Sequence, residues 1–171
     1  MSDRSDPKGQ PSMTGVWMLA MELFQRGYQR QMDGDWADAI AYYKRSLAIY
    51  PTAEAHTFLG WVYSFLGLYE EAMAECRRAI EVDPSLGNPY NDIGAYLIEQ
   101  GRHDEAIPWL EKAIRAPRYE ARCYPYYNLG RIYEHKGDWP RAIAYYRQAL
   151  AENPDYGLAR RAWMRLQARL N

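Results

Sequence analysis

Histidine and cysteine, the residue types that most often carry out chemistry in proteins, are few in this chain. It contains His56, His103 and His135, and the two cysteines Cys76 and Cys123. A zinc site needs three or four such ligands held close together, and a cysteine nucleophile needs a neighbouring base. Because the histidines fall at three different registers of the sequence pattern described below, we expect them not to converge on one metal ion. No metal and no cofactor is predicted.

Cys123 has the most specific route to reactivity among these residues. It stands at the start of an expected helix, where the positive end of the helix dipole favours a thiolate. No paired acid motif, phosphate-binding glycine loop or nucleophile elbow accompanies it in the sequence. An enzyme that uses Cys123 is therefore the third of three hypotheses, and the sequence predicts a protein without catalytic activity.

Composition excludes several classes of protein. Of 171 residues, 48% are hydrophobic and 25% are charged, which is typical of a folded globular chain. The net charge of −1 lacks the basic excess that nucleic-acid binders usually carry. Residues 1–12 have no apolar core of the kind found in secretory signals, and no apolar stretch is long enough to cross a bilayer. We expect a cytoplasmic protein that binds neither nucleic acid nor membrane.

One pattern recurs four times along the chain. The string G-D-W-A-D-A-I-A-Y-Y begins at Gly34 and returns in altered form at Gly67, Gly101 and Gly137, with spacings of 33, 34 and 36 residues. Another glycine precedes each of these by seven residues. A glycine can end a helix in the left-handed conformation, and small residues let two helices approach closely. We therefore interpret each repeat as two antiparallel helices.

These repeats resemble the tetratricopeptide repeat, whose pattern is W-x2-L-G-x2-Y, then A-x3-F, then P over about 34 residues. The fourth repeat matches best, through Tyr126, Leu129, Gly130 and Tyr133 in its first helix. The first repeat departs most from the pattern, as terminal repeats often do. The resemblance implies an all-α fold, a right-handed α-solenoid of antiparallel helix pairs.

The same pattern predicts how the chain is organised. We expect a flexible tail over residues 1–12, and four repeats within 13–154, at about 17–52, 53–86, 87–122 and 123–154. A capping helix over 155–171 follows, with an apolar stripe of Leu158, Ala162, Leu166 and Leu170. Such a helix would cover the open apolar end of a repeat stack.

In tetratricopeptide proteins, which are almost all binding modules, the first helix of each pair lines a groove. The resemblance and the helical spacing together place nine candidate binding residues there. They are Phe24, Tyr28, Trp61, Phe65, Asn88, Asn91, Tyr124, Tyr127 and Arg131. The aromatic members are expected to be partly exposed, and exposed ring clusters usually mark contact sites. Asparagine amides pair with peptide backbone, and Arg131 is suited to a carboxylate.

The leading hypothesis is an adaptor that binds a peptide or helix with an apolar anchor at one end and an acid near the other. Two readings of the same residues stay open, in which the rings fill gaps between neighbouring first helices or are covered by the N-terminal tail. The second hypothesis is a self-assembling scaffold, a homo-oligomer in which one molecule occupies the groove of the next.

Two family functions are also weighed from the residues. The clamp that holds the acidic tails of heat-shock chaperones is missing, because its places hold Phe24, Tyr28, Phe58, Asn88 and Asp92. The strings N-D-I-G and E-Q-G-R and the junction before the fourth repeat are similar to pilotin-type repeat proteins of type IV pilus assembly. A pilus or secretion assembly factor is therefore an alternative. The stretch from residue 112 to 131 is basic, and the capping helix is rich in arginine. We interpret both as solvated helix faces in preference to a site for an acidic partner or nucleic acid.

Overall fold

The computed structural model describes residues 13–170, and the side chains of residues 13–169. The predicted tail over residues 1–12 lies outside the described residues. Within the described part the chain forms nine helices. They are α1 (Met13–Met32), α2 (Trp36–Ile49), α3 (Ala53–Phe65), α4 (Tyr69–Val82), α5 (Asn88–Glu99), α6 (His103–Arg115), α7 (Cys123–His135), α8 (Trp139–Glu152) and α9 (Gly157–Leu170). No strand occurs between residues 13 and 170, where a single β-bridge joins Leu86 to Arg118. The all-α prediction is confirmed.

The chain divides into two compact units that meet in sequence between Asp83 and Pro84. In the first unit, α1 packs on α2, α2 on α3, and α3 on α4. In the second unit, α5 packs on α6, α6 on α7, α7 on α8, and α8 on α9. Each pair is joined by a turn of three residues, so its two helices run antiparallel.

Four similar turns connect the helices within the pairs. Their glycines, Gly34, Gly67, Gly101 and Gly137, have φ values of 77°, 75°, 73° and 74°. A side chain with a Cβ is strained at such values, which explains why glycine recurs at this point of every repeat. The N–H of Asp35 then bonds the carbonyl of Arg30 at 2.9 Å, which satisfies a carbonyl that the helix end leaves open.

A second set of glycines lies inside the first helix of each pair, where it faces the second helix. A Cβ built on Gly94 would lie 2.5 Å from Leu110, and one built on Gly130 would lie 2.4 Å from the ring of Tyr146. Both of these partners are fully buried. The glycines therefore make room for large side chains of the opposite helix, and this close packing holds each pair together.

Two buried tyrosines occupy the same position in the first and fourth pairs. The hydroxyl of Tyr43 donates to Gln31 at 2.7 Å, and that of Tyr146 donates to Glu134 at 2.7 Å. Each bond spans twelve residues and joins the second helix of the pair to the first. Burial raises the pKa of both phenols, so they donate as neutral groups.

Helix α9 packs on α8 through Ala162 and Leu166 of the stripe that the sequence predicts, but Leu158 of that stripe does not take part. Ala159, Ala162 and Leu166 are buried, whereas Leu158 is 46% exposed. The spacing between Ala159 and Leu166 is seven residues, and Ala162 lies three residues from Ala159, so these three share one helix face. Leu158 lies about 100° away from Ala159 around the helix.

Candidate functional site

A row of aromatic rings runs across α1, α2 and α3 of the first unit. The ring of Tyr28 lies 5.7 Å from Phe58, Phe58 lies 5.8 Å from Trp61, and Trp61 lies 5.9 Å from Phe65. Phe65 then stacks on Trp36 at 5.1 Å with an interplanar angle of 20°. We call these five residues the aromatic row. Such edge-to-face and stacked contacts hold the rings in fixed orientations.

The aromatic row is open on one side. Tyr28 is 39% exposed, Trp61 is 42% exposed and Phe65 is 56% exposed. Phe58 and Trp36 are half-buried and pack against the core of the unit. The row therefore combines a fixed base with a contiguous apolar surface, and such surfaces on soluble proteins commonly mark contact sites.

A cavity of about 610 Å³ opens at the Tyr28 end of the row. Its apolar walls are formed by Trp17, Met21, Phe24, Tyr28 and Phe58, and its polar rim by Gln25, Thr52 and Glu54. Trp17 is 47% exposed and was missed among the candidate residues. The signal was present, because Trp17, Met21, Phe24 and Tyr28 follow each other at helical spacings of four, three and four residues.

Phe24 differs from the expectation of exposure. Its side chain is 9% exposed, and its ring packs against Tyr43 at 5.5 Å and Phe58 at 5.3 Å. The residue lies where α1 meets both α2 and α3, so two neighbouring helices cover it. Phe24 therefore belongs to the core and also lines the cavity.

The second unit carries a charged cleft of about 540 Å³, which we call the arginine cleft. Its cationic and titratable walls are Arg131, Arg161, Arg165, Glu134, His103 and His135, and its other walls are Ile98, Tyr127, Tyr146, Leu158 and Ala162. The cleft thus brings together side chains from helices α5 to α9. Of the candidate residues, Tyr127 and Arg131 lie in this cleft.

Ion pairs inside the cleft engage two of its three arginines. Arg165 places one nitrogen 2.7 and 2.8 Å from the two carboxylate oxygens of Glu134, which also accepts the hydroxyl of Tyr146. Arg131 donates to Glu99 at 2.9 Å. None of the carboxylates in residues 13–169 forms an ion pair with Arg161.

The predicted asparagines fall into different surroundings. Asn91 is 8% exposed and hydrogen bonds within the unit, because its amide nitrogen donates to Asp92 at 3.3 Å and its oxygen accepts from Asn128 at 3.3 Å. Asn128 in turn accepts from Arg131 at 3.4 Å. Asn91 therefore uses its amide group for hydrogen bonds to Asp92 and Asn128. Asn88, in contrast, is exposed.

Tyr124 and Tyr127 are the remaining candidates. Tyr124 is 46% exposed, and its ring packs edge-on against Tyr156 at 5.3 Å. Tyr127 is half-buried, with Tyr156 at 5.2 Å and Tyr146 at 5.7 Å. Contacts within the second unit therefore fix both rings.

Asp92 is a carboxyl group without cationic support. Burial raises its pKa to about 7, and the hydrogen bond from Asn91 lowers it by less. No cation is among the described groups that set this pKa. The carboxyl group is therefore close to half-protonated near neutral pH.

Two of the histidines lie close together, and Cys123 departs from the expectation of a thiolate. The rings of His103 and His135 lie 4.3 Å apart, because the start of α6 and the end of α7 meet at the same end of the helix bundle. Even so, no group of three potential metal ligands occurs in the described part of the chain. Burial raises the pKa of the Cys123 thiol, which opposes the thiolate expected at the helix start.

Tandem antiparallel helix pairs with an exposed row of side chains are typical of helical-repeat proteins, a class that binds other proteins on extended surfaces. Models of the tetratricopeptide repeat match residues 20–54, 53–86 and 85–151. The chain therefore belongs to the tetratricopeptide repeat family, as its sequence pattern predicts. No helix within residues 13–170 combines the length and the apolar character needed to cross a membrane.

Relatives and solved structures agree with this assignment. The photosystem I assembly protein Ycf3 of Prochlorococcus marinus is 26% identical over 113 residues, covering 60% of this chain. The chain spans 65% of that relative's length and 27% of the length of a second curated relative. PilF of Pseudomonas aeruginosa has a TM-score of 0.84 at 24% identity, covering 91% of this chain and 70% of that one. PilW, a type IV pilus biogenesis factor, has a TM-score of 0.77 at 21% identity, covering 87% of this chain and 70% of that one. The predicted similarity to pilus-assembly repeat proteins is thereby confirmed at the level of the fold.

Proposed function

We propose that this protein is a non-enzymatic adaptor that binds a peptide or helix of a partner protein on the aromatic row and the adjoining cavity. The observation that carries the proposal is the exposure of Tyr28, Trp61 and Phe65 in one contiguous surface. Aromatic side chains of this kind dominate the energy of protein–protein contacts when a partner covers them.

The shape and the chemistry of the site favour an apolar anchor residue. The cavity beside Tyr28 has apolar walls and a rim that includes Gln25, Thr52 and Glu54. A large apolar side chain could enter the cavity while the backbone of the partner passes along the polar rim. The rings are already fixed by their mutual contacts, so little side-chain entropy would be lost on binding.

The relatives support an interaction role in general terms. Ycf3 is named as a photosystem I assembly protein and PilW as a type IV pilus biogenesis factor. The aromatic row gives this chain a surface suited to such a role.

The proposal is tested by removing the exposed rings. A double variant, Trp61→Ala with Phe65→Ala, should bind peptides selected by the wild type from a random library at least about tenfold more weakly. Fluorescence anisotropy with a labelled selected peptide measures the affinity, and circular dichroism checks that the variant remains helical.

Met164→Ala is the matched control, because Met164 is 58% exposed on α9 and contributes to neither the row nor its cavity. It should bind the selected peptide as the wild type does. Equal affinity of the double variant and the wild type would contradict the proposal. Light scattering over a range of concentrations separates self-assembly, which would appear as a mass that grows with concentration.

A further inference from the structure

We propose that the arginine cleft of the second unit binds an acidic side chain, an aspartate or glutamate in a segment of the partner protein. This inference rests on the proposed adaptor function, since it names the chemistry of the partner. It concerns a different surface from the aromatic row. It also involves none of the positions that form the chaperone-tail clamp in related proteins.

The first argument is the balance of charge inside the cleft. Glu134 pairs with Arg165 and Glu99 pairs with Arg131, which leaves Arg161 as a third guanidinium without a carboxylate partner in residues 13–169. A guanidinium offers a planar fork of N–H donors that matches a carboxylate. A single incoming carboxylate would therefore complete the set of pairs.

The second argument is the position of Arg161 beside apolar walls. Leu158, which is 46% exposed, precedes Arg161 by one helical turn, and Ile98 and Tyr127 line the same cleft. Apolar walls exclude part of the water around an ion pair and so strengthen it. They also favour a partner whose acidic residue has an apolar neighbour.

The third argument separates an acidic peptide from nucleic acid. A nucleic-acid strand presents phosphates in succession and requires a continuous basic surface. Glu134 lines this cleft and pairs with Arg165, and the nearby Glu99 pairs with Arg131. Their carboxylates would repel the closely spaced phosphates of a nucleic-acid backbone, whereas the flexible side chains of an acidic peptide can place one carboxylate at Arg161 and turn the others toward solvent.

The test uses the full chain and fluorescein-labelled hexaglutamate as the probe, with hexaglutamine as the neutral comparison. The wild type should bind hexaglutamate and not hexaglutamine in an anisotropy titration at low salt. Arg161→Glu should weaken binding at least about tenfold, because it removes the donor and adds a like charge.

Arg147→Glu is the control, because Arg147 is exposed on α8, lies outside the cleft, and gives the same change in net charge. It should change the affinity by less than about twofold. The proposal would be overturned if the wild type failed to bind hexaglutamate, if hexaglutamine bound equally well, or if both variants lost affinity equally. Tighter binding of single-stranded DNA than of hexaglutamate would also overturn it.

One further variant distinguishes failure of this inference from failure of the adaptor proposal. The Trp61→Ala, Phe65→Ala protein keeps the arginine cleft intact and should bind hexaglutamate like the wild type. If the double variant bound both hexaglutamate and the library peptides as tightly as the wild type does, only the proposal for the aromatic row would be rejected. If the double variant lost affinity for library peptides but the wild type did not bind hexaglutamate, only the proposal for the arginine cleft would be rejected.

Discussion

Gly130→Ala is expected to lower the free energy of unfolding by about 3 kcal/mol. In an exposed helix the same change usually stabilises, since alanine is the better helix former by about 1 kcal/mol. Here a new Cβ would lie 2.4 Å from the ring of Tyr146, which is 1% exposed. That ring is also held by its hydrogen bond to Glu134, so it cannot turn aside without losing the bond.

Urea denaturation followed by circular dichroism measures this effect, with Gly157→Ala as the matched control. A Cβ on Gly157 would meet nothing closer than the end of the flexible Arg161 side chain at 3.4 Å. The control should therefore be as stable as the wild type or slightly more stable. A Gly130→Ala protein as stable as the control would show that α7 and α8 pack less tightly than described.

Asp92→Asn is expected to stabilise the protein by about 4 kcal/mol near pH 8 and to have little effect near pH 4. The folded pKa of Asp92, about 7, is above its value in an unfolded chain. Its contribution to stability is therefore fully present below the unfolded pKa and is lost as pH rises through about 7. Asparagine keeps an oxygen that can accept from Asn91 and carries no charge to bury.

Thermal unfolding over this pH range measures the difference in Tm between variant and wild type. Asp155→Asn serves as the control, because the side chain of Asp155 is 99% exposed and its removal changes the net charge by the same amount. The control should show no comparable trend with pH. A gain from Asp92→Asn that is the same at both ends of the range would reject the buried, partly protonated carboxyl group.

The helices could be predicted from sequence because their signals are local. A glycine such as Gly67 acts through its own φ value, and a cap such as Asp138 acts on an N–H three residues later. These effects depend on residues that are close in the sequence, so they do not require knowledge of the tertiary packing. The repeat then multiplied the signal, since the same turn occurs four times.

Exposure within the site was harder to predict, because it depends on which other helix covers a residue. Phe24 and Tyr28 lie on one face of α1, yet Phe24 is covered by Tyr43 and Phe58 while Tyr28 stays open. Asn91 is buried for a similar reason, through Asn128 of another helix. Helical spacing predicts on which face of its helix a residue lies. It does not predict whether side chains of another helix cover that residue.

Ionised tyrosine has its own ultraviolet absorbance, so the ionisation of the buried tyrosines can be used to detect separation of the two helices of a pair. Among the 16 tyrosines, burial raises the pKa of several above the ordinary value of about 10. They include Tyr43, Tyr119, Tyr146 and Tyr156. In an alkaline titration these four phenols should ionise only above the ordinary range, and Tyr43 and Tyr146 should do so as the first and fourth helix pairs separate. Because they ionise more readily in the unfolded chain, stability is lost as pH rises above about 10. A smooth single-phase titration that finished while the helices remained intact would contradict this expectation.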